Sequence, residues 1–116
     1  MNNEDLISIV KSANVAFDLG TRQGQYNQVR FFHEQTNRSL NLGYRGPYGP
    51  FVADFVFKGE SKEINDAKCK AFLLLFGGQR GNRSTAFARL QPRFSESAWL
   101  VQVIQGYWAM GSASGA

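Results

Sequence analysis

Two glycines and two prolines fall within five residues, Gly46-Pro47-Tyr48-Gly49-Pro50. Proline lacks the N–H that a helix interior or a central strand needs, and glycine costs either element backbone entropy. No regular element can run through this segment, so the chain is cut there and each side must be read separately. Directly after the cut, Phe51 to Lys58 alternates, with Phe51, Ala53, Phe55 and Phe57 on one face and Val52, Asp54, Val56 and Lys58 on the other. Asp54 and Lys58 predict that the second face is the wetter one. Gly59 closes this strand.

Before the cut, Leu6, Ile9, Val10, Ala13 and Phe17 recur at helical spacing. They predict an amphipathic helix over Glu4 to Leu19, with Asn3 as N-cap, Glu4 and Asp5 at the positive end of the helix dipole, and Gly20 as the stop. From Gln25 to Arg45 the pattern changes. Tyr26, Val29, Phe31 and Phe32 favour strand, Thr36 to Ser39 is a turn candidate, and Leu40 and Leu42 alternate with Asn41 and Gly43, so the segment reads as a hairpin.

After Gly59, Ser61 to Phe76 allows two readings. Ile64, Ala67, Ala71, Phe72 and Leu75 have helical spacing with Ser61 or Asn65 as cap, whereas Cys69 to Phe76 alone could be a strand. The helix over about 62–76 is favoured, because alanine, lysine and leucine are good helix formers. Gly77 to Ser84 reads as a loop. Thr85 to Phe94 and Trp99 to Trp108 read as two further strands joined at Ser95-Glu96-Ser97, with Pro92 marking an edge or a break. The fold class expected is α+β: an N-terminal helix, a largely antiparallel sheet of about five strands and a second helix near 62–76. Residues 1–110 form a single domain, and the small, polar 111–116 is a flexible tail. Phe55, Phe57, Phe72, Leu75 and Val101 are the core expected from these faces.

The chain has 116 residues, 43% of them hydrophobic and 14% aromatic, enough to bury a core without staples. Cys69 is its single cysteine and His33 its single histidine, so an intrachain disulfide and a multi-cysteine zinc site are excluded. The longest apolar run, about Ala71 to Phe76, is far short of a membrane span. No basic start or apolar run marks a signal peptide, and a cytoplasmic location is expected. Catalytic chemistry has thin support. Glu34 alternates away from His33 on a strand, and Lys68 and Lys70 do not face Cys69 on a helix. No carboxylate pair or metal-ligand spacing stands out, and Gly77 to Ser84 lacks the Gly-Lys-Ser/Thr ending of a phosphate-binding P-loop. The chain is therefore read as a non-enzyme, without metal or cofactor.

Charge carries the functional reading. The net charge is +4, and the 29 residues from Ala67 to Ser95 contain no acid but hold Lys68, Lys70, Arg80, Arg83, Arg89 and Arg93. Glycines in the 77–84 loop let backbone approach a ligand, and Arg80 and Arg83 offer planar forks suited to phosphate oxygens. On the following strand Phe87, Arg89 and Arg93 share one parity, a ring for base stacking beside cations for the backbone. The bland alternative makes Phe87 core and the arginines solvated surface. Tyr44, Arg45 and Tyr48, around the Gly-Pro loop, form a second candidate recognition cluster or else pack on their own domain.

The partner expected is single-stranded nucleic acid or RNA. The alternative is a self-assembling structural or protein-interaction subunit, a homo-oligomer, motivated by 16 aromatic residues of 116. The order of elements, with Gly46-Pro47 before a strand and Ser61-Lys62-Glu63 opening a helix, resembles double-stranded-RNA-binding domains. That family is not assigned, because its lysine cluster is reduced here to Lys62 between Glu60 and Glu63 and two more strands follow.

Overall fold

The computed structural model describes residues 2–20, 28–81, 85–93 and 96–110. Along the chain run α1 (Asn3–Ser12), β1 (Asp18–Gly20), β2 (Gln28–His33), a 3-10 turn (Glu34–Thr36), β3 (Arg38–Tyr44), β4 (Phe51–Phe57), α2 (Lys62–Phe76), β5 (Gln79–Arg80), β6 (Ala86–Leu90) and α3 (Ser97–Ala109). The class is α+β, as expected, with six strands rather than about five, in the order β1-β2-β3-β4-β6-β5. Every pairing is antiparallel. Two strands, β1 and β5, are additional to those expected, because both edges are very short, three residues and two, below the length at which alternation can be read, while one expected strand is a helix.

The helix near 62–76 is present as α2, with the Ser61 hydroxyl accepting the Ile64 N–H at 3.2 Å. Two other expectations are corrected. The N-terminal helix stops at Ser12 instead of reaching Leu19, because Asn14 takes the left-handed conformation, φ 55°. Val15 and Phe17 then reach the core from the non-helical segment between α1 and β1, and Asp18 to Gly20 becomes an edge strand. Its cap lies one residue earlier than expected: Asn2 and Asp5 close a reciprocal capping box.

Trp99 to Trp108 lies in helix α3, not in a strand. The buried set there is Leu100, Val103, Ile104 and Tyr107, at helical spacing. Trp99, Val101 and Trp108 are half-buried as well, so nearly every side of the segment is apolar and periodicity could not separate the two readings. Gly106 leaves room on α3 for the Phe76 ring of α2, since a side chain there would begin 2.5 Å from that ring.

All three helices lie on one face of the sheet. Val29, Phe31, Leu40, Leu42, Phe51, Ala53, Phe55, Phe57, Ala86, Ala88 and Leu90 supply that face, and they pack with Leu6, Val10, Cys69, Phe72, Leu100, Val103, Ile104 and Tyr107. Phe55, Phe57 and Phe72 are buried as expected. Leu75 is not: it is 70% exposed, on the outer side of α2, and Val101 is only half-buried. The opposite face carries Gln28, Arg30 and Phe32, then Ser39, Asn41 and Gly43, then Val52, Asp54 and Val56, then Phe87 and Arg89. No helix covers it among the described residues. It is less wet than expected, since Val52 and Asp54 are buried.

Candidate nucleic-acid interface

Register explains where the arginines go. Arg89 is the direct cross-strand partner of Asp54. Its Nε donates to Asp54 Oδ1 at 2.7 Å and its Nη2 to Oδ2 at 2.9 Å, a two-pronged pair on the helix-free face. That hydrogen bond raises the Arg89 pKa. The guanidinium also lies 5.5 Å from the centre of the Phe87 ring. Phe87 itself is buried, and its ring fills the space where a side chain at Gly81 would begin. Arg80 pairs with Ala88, one residue out of phase, and so projects to the helix side. There its Nη2 meets Asp66 of α2 at 2.5 Å, and this hydrogen bond raises the Arg80 pKa.

The structure thus brings Phe87 and Arg89 together, as the spacing suggested, and sends Arg80 to the other face. Arg93 is exposed beyond the end of β6, its N–H donating to Glu96 Oε1 at 2.9 Å. Arg83 lies outside the described residues. In the Gly-Pro loop the Arg45 N–H closes onto the Pro50 carbonyl at 3.1 Å, and the Arg45 side chain is exposed. Tyr48 is 99% exposed. Tyr44 is half-buried and packs edge-on against Phe51, with ring centres 5.5 Å apart.

A second site gathers where the β2–β3 turn meets the segment after β4. Arg30, Phe32, Glu34, Asn37, Arg38, Lys58 and Gly59 line a cavity of about 310 Å³. Arg30 and Phe32 sit two residues apart on β2, and the Arg30 guanidinium lies 4.7 Å from the centre of the Phe32 ring. Arg30 Nε donates to Ser39 Oγ at 3.3 Å. Lys58 is exposed, and partial burial followed by the positive charge of Arg30 lowers its pKa, against the opposing pull of Glu34. Two cations therefore repel across this cavity.

Arg38, only 3% exposed, plays a different part. Its Nε donates to the Thr36 carbonyl at 2.9 Å and its Nη1 to the Tyr107 carbonyl at 3.1 Å. It thereby supplies a cation to the C-terminal turn of α3, which has none of its own. Burial lowers its pKa, while Tyr107 and Glu60 oppose that effect. Gly59 lets the Asn37 side chain pack against the rim: a Cβ there would sit 2.2 Å from Asn37 Oδ1.

Sequence reasoning missed Arg30, Phe32 and Lys58. Arg30 and Phe32 do share strand parity, which was a usable signal, but only the register across β2, β3 and β4 brings them toward Lys58. The cysteine and histidine offer little chemistry. Burial pushes the Cys69 thiol up, and His33 Nδ1 is held at 2.8 Å from Thr36 Oγ1. Among the described residues no group of three His, Cys, Asp or Glu side chains could hold a metal ion, and no helix is long and apolar enough to cross a membrane. Set against known proteins, the chain matches no family model, no curated protein and no solved structure.

Proposed function

We propose that this protein binds single-stranded nucleic acid on the helix-free side of its sheet, around the Arg30–Phe32–Lys58 cavity. The observation that carries the reading is the charge of that cavity: Arg30, Arg38 and Lys58 line it with Glu34 as the single carboxylate. Like charges held together without a matching number of acids are relieved by an anion, and a phosphate backbone supplies anions at regular intervals. Phe32 adds an aromatic wall of the kind on which bases pack. Arg89 and Arg80, each paired with its own aspartate, contribute less than the acid-free stretch suggested. Arg45 and the exposed Tyr48 lie at the opposite end of the β3–β4 hairpin and are not part of this cavity. The reading requires no catalytic step.

Fluorescence polarisation with short RNA and DNA strands at two salt concentrations tests it. Affinity should fall as salt rises, and the double variant Arg30→Ala with Lys58→Ala should bind every sequence more weakly. Loss of two phosphate contacts should flatten the salt slope by about 1.4 on single strands. No binding by the parent protein at low salt, or equal binding by parent and variant, would refute the reading.

A separate observation favours a second reading, self-association. Ile64, Leu74 and Leu75 are 46%, 80% and 70% exposed. With Ala67 and Ala71 they form one stripe on α2, turned away from the buried Cys69 and Phe72. In an antiparallel pair of α2 helices, Ile64 of one copy would lie level with Leu74 of the other, and Ala67 with Ala71, so small residues at the centre allow close approach. The stripe is smaller than the roughly 800 Å² per partner of a stable interface, so such a dimer would be weak. Sedimentation should show concentration-dependent dimers that the variant Leu74→Glu abolishes; a strict monomer at high concentration removes this reading.

A further inference from the structure

We infer that the cavity between the β2–β3 turn and the segment after β4 is a receptor for a phosphomonoester, the group that ends a phosphorylated strand or a free nucleotide. The inference rests on the nucleic-acid reading above and narrows it from any backbone phosphate to a terminal one. The first support is charge matching. Three cations and one carboxylate line the cavity, an excess of two positive charges. An internal phosphodiester carries one negative charge, whereas a monoester carries about 1.5 to 2 at neutral pH. Only the monoester comes near to balancing the site.

Size and shape are the second support. At about 310 Å³ the cavity lies at the small end of ligand pockets, a size that suits one terminal unit. The third is the division of labour among the cations. Arg38 is fixed by two carbonyls and nearly buried, so it contributes field to the site from behind. Arg30 and Lys58 stand at the more open part, a planar fork and a mobile point charge. Burial and the charge of Arg30 both disfavour the Lys58 ammonium, a strain that a bound dianion would relieve. Phe32, with the Arg30 guanidinium over its ring, gives the sugar or base of the same unit an apolar wall.

The test uses one oligonucleotide sequence in three forms, with a 5′-phosphate, with a 3′-phosphate and with hydroxyls at both ends, together with adenosine monophosphate and inorganic phosphate. The 116-residue chain is titrated with each by calorimetry and by amide chemical shifts. One end-phosphorylated strand should bind about tenfold more tightly than the hydroxyl-ended strand. That preference should vanish in Lys58→Gln and in Arg30→Gln, with shifts centred on Arg30, Lys58 and Gly59. Lys58 is exposed, so the lysine variant keeps the test valid even if Arg30→Gln fails to fold. Equal affinity for all three strands overturns the inference and leaves the nucleic-acid reading standing. Binding of the mononucleotide, lost in Lys58→Gln, with no binding of any strand, supports the phosphomonoester site, overturns the strand reading and assigns the ligand to a free nucleotide. No binding of any probe overturns both.

Discussion

Truncating Phe72 to alanine should cost about 3–5 kcal/mol of stability, whereas truncating Leu75, three residues further along the same helix, should cost less than about 0.5 kcal/mol. Phe72 is fully buried, its ring centre 4.8 Å from that of Phe55 and 5.8 Å from that of Phe57. Removing it opens a cavity among rigid rings that cannot collapse to fill it. Leu75 lies on the solvent side of α2, and alanine is a better helix former than leucine. Urea denaturation at micromolar concentration, where any α2-mediated dimer is dissociated, reads both variants on one scale. Equal midpoint shifts would mean that α2 is rotated about its axis relative to the arrangement described.

Replacing Tyr107 by phenylalanine keeps the ring and isolates its hydroxyl, and should cost about 1–3 kcal/mol. The hydroxyl accepts the Ser39 N–H at 2.8 Å and lies within reach of the Ser39 carbonyl at 2.9 Å and the Val56 carbonyl at 2.5 Å. A side chain of α3 thus enters the backbone bonding between β3 and β4, and without it a buried N–H loses its acceptor. Burial raises the Tyr107 pKa to about 12, from 10 in the unfolded chain, outweighing the opposing effects of the Ser39 and Val56 hydrogen bonds and of Arg38. The sign follows directly. The neutral hydroxyl is favoured in the fold, so its contribution is intact below pH 10 and is lost as pH rises from 10 to about 12. The parent should lose stability more steeply than Tyr107→Phe across that interval. Parallel alkaline curves for the two proteins would show that the hydroxyl is not held in the fold.

What could be read from sequence was decided by contrast between neighbouring residues. Phe51 to Phe57 alternates between a core face and a face interrupted by Asp54, and the strand emerged as expected. Ser61, the lysines and the paired glycines bracketed α2 in the same way. Contrast failed in Trp99 to Trp108, where apolar residues on almost every side let a helix pass for a strand. It failed again at Asn14, because one residue in the left-handed region ends a helix whose apolar spacing continues to Phe17.

The charge reading had a different weakness. The acid-free stretch from Ala67 to Ser95 is a property of chain order, but ion pairs form across strands and between layers. Asp54 comes from the neighbouring strand and Asp66 from the residue just before the stretch, and together they take Arg89 and Arg80. The cavity that remains charged is built from Arg30, Arg38 and Lys58, cations spread over three stretches of sequence with acids between them. Nothing in their order along the chain brings them together; the register of β2, β3 and β4 does.

The tapering of the sheet also bears on how the molecule behaves in a crowded solution. Fibrils grow when a long, flat strand at the margin of one molecule templates the chain of the next. Here the long strands β2, β3 and β4 all have partners on both sides, and among the described residues the margins are three residues of β1 and two of β5. A template that short offers too few hydrogen bonds to recruit another chain. Along these described margins, the sheet of a protein that is 43% hydrophobic offers little for lateral growth.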